Sequence, residues 1–175
     1  GDPNGQIALR KMLLAELSCI GVTNGNIIAT PGNHDIVACS EPGSPQRYKL
    51  FQEAWLGSDP VIVPFLDGIH DIEDIKVSSH VLKDPLGNWA VFPINTANWS
   101  QLRISDKDDP EIAKLRTFIK TKGDTGHIST LERLCSYDIA RVSENQLEAL
   151  RMMVKDAGDV RLRIAVLHHH LLPVD

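Results

Sequence analysis

Two short apolar runs, residues 26–30 (NIIAT) and 163–167 (RIAVL), each break without slack into a cluster of polar residues. The first opens onto Pro31-Gly32-Asn33-His34-Asp35 and the second onto His168-His169-His170. Apolar runs of this length between breakers read as buried strands. The polar groups are therefore fixed at two strand tips instead of being carried on loose loops. Ligands collect beyond the carboxyl ends of strands in α/β architectures.

The chain between these tips alternates in the same sense. Leu13, Leu14, Leu17 and Ile20 stand at helical spacing ahead of Gly21, predicting a helix over 6–19. Tyr48, Leu50, Phe51, Ala54 and Trp55 predict another over 44–56, with Pro45 at an early position where its missing N–H costs nothing. Residues 75–82 alternate apolar and polar, 84–88 are rich in turn formers and 89–94 are apolar again, which predicts an antiparallel hairpin. A helix is expected over 110–122, while 123–136 has no assignable pattern. Ser143 with Gln146 three residues later is a capping-box signature, opening a helix that runs to Ala157 and stops at Gly158. The fold class expected is α/β.

With 175 residues, 42% hydrophobic and 23% charged, the chain suits one domain that buries roughly 68–70% of its unfolded surface. A net charge of −5 gives no basic footprint for a phosphate backbone, so a nucleotide or nucleic acid is expected only as a substrate. No apolar run approaches the roughly 20 residues of a spanning helix, so no membrane partner is expected. Cys19, Cys39 and Cys135 are widely separated and form no C-x-x-C pair, which points to a reducing compartment, the cytoplasm.

The residues at the first tip have the chemistry of a ligand site. Gly32 lets the backbone turn and other groups approach, Asn33 offers a carboxamide oxygen, and His34 offers an imidazole. IIATPGNHD resembles the GNHD/E motif of the calcineurin-like metallophosphoesterases. RIAVLHHHLLPV resembles the later strand of that family, which ends in a metal-binding histidine, and SENQLEALRMMV resembles the helix before it. The three segments occur in the family's order.

The resemblance implies a sandwich of two mixed β-sheets flanked by helices, with residues 1–175 a partial domain lacking both ends. Gly1-Asp2 corresponds to the family's G-D, whereas its opening D-x-H and closing G-H-x-H have no counterpart. By the same resemblance Asp2 bridges two metals, Asn33 and His168 bind one of them, and His34 is the catalytic group near the leaving oxygen. Asp35 and His169 are candidates for orienting a neighbour or facing substrate. His170 stands where the family commonly has Pro. The implied cofactor is two divalent metal ions, Mn, Fe, Zn or Ni, and the implied reaction is hydrolysis of a phosphoester by a water they activate. Pro3-Asn4-Gly5 does not resemble the D-R-G of the family's protein phosphatases. Residues 36–110 form a long inserted segment expected to border the substrate. The alternative is a degenerate phosphoesterase fold acting as a non-catalytic interaction module.

Other features point to no second chemistry. His70, His80 and His127 lack a partner at metal-ligand spacing and read as surface or hydrogen-bonded histidines. Asn98-Trp99-Ser100 matches a glycosylation sequon, a match taken as coincidental. No G-x-S-x-G, G-K-[ST] or H-E-x-x-H occurs.

Overall fold

A computed structural model describes residues 3–38, 40–57, 61–103, 110–123, 126–127, 131 and 136–169. Helix α1 (Pro3–Cys19) turns inward Ile7, Arg10, Leu14 and Leu17, and Gly21 at φ 81° ends it. Its Arg10 donates to the Ala54 carbonyl (2.8 Å) and lies over the Trp55 ring, tying it to α2 (Lys49–Trp55). A short 3-10 turn, Pro45–Tyr48, leads into α2, so the helix expected over 44–56 forms in two parts. Helix α3 (Pro110–Thr121) matches its expected span closely.

The fold is mixed α/β. Strands β1 (Leu82–Lys83) and β2 (Trp89–Pro93) pair antiparallel, and β5 (Leu162–Val166) pairs with β2 in parallel from Trp89–Leu162 to Pro93–Val166. Strands β3 (Trp99–Arg103) and β4 (Ser136–Ile139) make a separate antiparallel pair. Helix α4 (Glu144–Ala157) connects into β5 and covers β2, with Ala149, Met153 and Ala157 buried against Ala90 and Phe92. A second core gathers Ile36, Tyr48, Phe51, Val61, Val63 and Leu66. Each large side chain so buried contributes roughly 1.5–3 kcal/mol. No helix among the described residues is long and apolar enough to cross a membrane.

Three expectations are corrected. The run at 26–30 makes one parallel bridge, Ile28 to Ile62, instead of a strand. Ile62 donates to the Ile27 carbonyl and accepts from Ala29, both at 2.9 Å, but the next donor in the ladder would be Pro64, which has no N–H. The strand expected over 75–82 shrinks to two residues after a 3-10 turn at Val77–Ser79. Ile75 and Val77 reach the core from that winding segment, so their alternation is met without a ladder. The run at 163–167 does form a strand, shifted by one residue, but it is not buried: Leu162 is 54% and Ile164 39% exposed. Among the described residues it is the edge of a three-stranded sheet.

Candidate functional site

The turn after Ala29 is closed by Asp35. Its carboxylate accepts from the Gly32 N–H (2.8 Å) and from the Gln6 side chain of α1 (2.7 Å), while its own N–H donates to the Gly32 carbonyl (3.1 Å). This Asx-type closure is what a Gly-Asn-His-Asp sequence offers, a short acidic side chain reaching back three residues. Asp35 thus holds the loop's shape and anchors it to a helix. His34 is exposed and Asn33 half-buried. The Asn33 carbonyl accepts from the side chain of Gln101, a residue in left-handed conformation (φ 50°) at the irregularity of β3.

The second tip meets the first at Gly32. A Cβ placed on Gly32 would stand 2.9 Å from His168 Cε1 and 3.0 Å from each of its ring nitrogens. Both nitrogens of His168 therefore lie against the Gly32 backbone, beside Asn33, in space that only an absent side chain leaves. His169 points elsewhere. Its Nδ1 is 2.8 Å from the Thr96 hydroxyl and its Nε2 is 3.2 Å from the Ser100 hydroxyl. The two imidazoles are nearly perpendicular (87°), with centroids 4.8 Å apart. Of the other expected site residues, Asp2 lies outside the described residues, as does the neighbouring His170.

Beneath His169 runs a buried polar network that sequence reading missed. Asn95 donates to the Tyr48 hydroxyl (2.6 Å), which donates to Asn98 Oδ1 (2.8 Å), and Asn98 Nδ2 donates to Asp67 (3.2 Å). Asp67 also accepts from the Ser143 hydroxyl (2.9 and 2.8 Å) and from Gln146 (3.3 Å), and Gln146 Oε1 accepts from the Asn95 N–H (3.1 Å). Burial pushes the Tyr48 hydroxyl pKa upward, so it stays a neutral donor. The buried Arg47 guanidinium donates to the carbonyls of Ser40 (2.8 Å), Ala97 (3.3 Å) and Ser100. The one available signal was the polar run Asn95-Thr96-Ala97-Asn98 directly after an apolar strand. Asn98 is 1% exposed with its amide committed to Asp67, which closes the sequon as a glycan acceptor in this fold.

A further pair, His70 and His80, lies apart, with ring centroids 4.6 Å apart beside a cavity of about 370 Å³. His70 Nδ1 accepts from the Leu66 N–H (3.0 Å), and His80 Nδ1 lies 2.8 Å from the Val63 carbonyl, to which it donates. Burial, with His80 adjacent, pushes His70 down to about 4. Burial also lowers His80, opposed by its bond to Val63. Both read as hydrogen-bonded neutral histidines.

Among the described residues no group of three or more His, Cys, Asp or Glu side chains is gathered for a metal. Of the donor types a metal would use, the described residues bring an imidazole, His168 packed on Gly32, to the segment that carries the Asn33 carboxamide. The chain matches no protein-family model, no curated protein and no solved structure.

Proposed function

We propose that this chain is part of the catalytic domain of a metal-dependent phosphoester hydrolase of the calcineurin-like type. The observation that carries the reading is the contact of Gly32 with the His168 imidazole, which joins the two polar segments, far apart in sequence, at one point. Such a contact is what a shared ligand site needs and what a chance Pro-Gly turn does not.

In this reading Asn33 and His168 would hold a divalent ion, and Asp2 would supply a carboxylate to the metal centre. The ions, when bound, activate water and neutralise the phosphoryl oxygens. The chain's own residues do the rest. Asp35 and Gln6 set the loop so that the Asn33 amide and the His34 imidazole keep one geometry. His34 is exposed, and in this reading it hydrogen-bonds the substrate phosphate or protonates the leaving alkoxide. Gln101, Thr96 and Ser100 come from the segment at 36–110 and contact Asn33 and His169, which supports the reading that part of that segment borders the substrate side.

The test is hydrolysis of an aryl phosphate monoester and a diester by the full-length protein with added manganese, beside Asn33→Ala and His34→Ala. Manganese-dependent turnover that falls at least 100-fold in both variants is expected, since general acid–base groups contribute roughly 10²–10⁴-fold. No turnover with either ester under several metals refutes the reading in favour of a non-catalytic interaction module.

A further inference from the structure

The pair His70 and His80 stands apart from Gly32 and His168, and main-chain groups fix the tautomer of both rings. The Leu66 N–H can only donate, so His70 Nδ1, 3.0 Å away, carries no proton and the neutral ring holds its hydrogen on Nε2. The Val63 carbonyl can only accept, so His80 Nδ1, 2.8 Å away, carries the proton and its Nε2 keeps a lone pair. One imidazole thus offers a donor and its neighbour an acceptor, with ring centroids 4.6 Å apart. Among the described residues neither Nε2 has a hydrogen-bond partner. His80 is only 4% exposed, and an acceptor at that depth costs free energy unless water or a ligand meets it.

Both histidines line the cavity of about 370 Å³, within the roughly 300–1,000 Å³ of small-molecule sites. Leu56, Val61 and Ile69 give it an apolar wall, and Asp71, Asp74 and Lys76 add charged groups. This lining selects by exclusion. A metal ion on His70 Nε2 needs the ring proton on Nδ1, the atom that already accepts from Leu66. An anion meets two carboxylates against one ammonium, beside two imidazoles that burial keeps neutral. A cation without a lone pair leaves the His70 N–H unmet. A neutral molecule with an acceptor and a donor side by side on an apolar body satisfies the whole set, and an amide held cis within a ring has that pattern. We propose that this cavity binds a cyclic amide, whose carbonyl accepts from His70 Nε2–H and whose N–H donates to His80 Nε2 while its ring carbons pack on Leu56, Val61 and Ile69. The site shares no residue with the contact of Gly32 and His168, so it stands or falls independently of the phosphoesterase reading.

The experiment titrates the full-length protein with δ-valerolactam near neutral pH and follows the imidazole nitrogens by long-range proton–nitrogen NMR, which also reports each tautomer. Expected are His70 as Nε2–H, His80 as Nδ1–H, and saturable shifts of both Nε2 signals in the millimolar range that so small a probe permits. N-methyl-δ-valerolactam keeps the carbonyl and lacks the N–H, and should bind roughly 10-fold more weakly. His80→Phe keeps an aromatic ring and removes the acceptor, with a similar loss expected. If that variant fails to fold, Ser79→Phe, at an exposed position lining the cavity, should abolish the saturable shift. No saturable shift at either ring overturns the proposal, as does a swapped tautomer in the free protein. Equal affinity for the N-methylated lactam, or unchanged binding by a folded variant, overturns it as well.

Discussion

Gly32→Ala separates the site from the fold most sharply. The added Cβ would stand 2.9–3.0 Å from three ring atoms of His168, where ordinary carbon contacts lie at about 3.5–4.0 Å. The imidazole must therefore withdraw by roughly 0.5–1 Å. Gly32 is not among the glycines at positive φ, so an alanine there suffers no backbone strain. His168 is exposed, so its ring can retreat without opening a cavity in the core. Stability is expected to change by less than about 1 kcal/mol, helped by the lower chain entropy of alanine. Site geometry must hold within about 0.5 Å, and a misplacement of about 1 Å can cost 10²-fold. Manganese affinity and manganese-dependent ester hydrolysis should therefore fall roughly 10–100-fold. Calorimetric titration, turnover and urea unfolding on the same preparation read all three quantities. Unchanged affinity and turnover would refute the argument that the Gly32 contact sets His168. A loss of several kcal/mol in unfolding would show that the contact serves packing.

Two further predictions concern the scaffold. Asp67→Ala leaves the buried amides of Asn98 and Gln146 and the Ser143 hydroxyl without their shared acceptor, and should cost about 3 kcal/mol in urea unfolding. Ser143→Ala alone, which removes an N-cap accepting from Gln146 N–H, should cost about 1–2 kcal/mol, and equal costs for the two variants would contradict the network. The histidine pair sets a pH dependence. His70 falls from 6.5 to about 4 on folding, so the unfolded chain takes up a proton that the folded one refuses. Its folded state is therefore penalised as pH drops below about 6.5, with the penalty reaching its limit near pH 4. Allowing for the ring's partial exposure, the loss should be roughly 1–2 kcal/mol, smaller in His70→Gln. Unfolding free energies at pH 7.5 and 5 check it, and equal losses in both proteins would refute the assignment to His70.

Local signals were legible where the physics is local. The Ser143 cap accepts the Gln146 N–H and Gly158 at φ 69° ends α4, as the capping box and stop signal imply. Asp84 and Gly87 turn the chain into β2, since the Asp84 carbonyl and carboxylate accept from Gly87 and Asn88 within five residues. Burial was less legible. The RIAVL run makes a strand because its β-branched and aliphatic residues suit a ladder, but whether a strand is covered depends on elements that sequence periodicity does not locate. The NIIAT run lost its ladder to Pro64, a residue of a different segment.

The sequence by itself determined most of the helical spans, the turn before β2 and the chemistry available in two polar segments, because caps, turns and donor types are properties of neighbouring residues. Tertiary structure alone decided that Gly32 lies against His168, that His169 turns to Thr96 and Ser100, and that Asn98 is sealed onto Asp67. These contacts join groups distant along the chain, and they form only after the cores around Phe51 and Phe92 bring their backbones together. A buried polar group must then find a partner or lose its hydration uncompensated, and that requirement acts through space and leaves no periodic trace in the sequence.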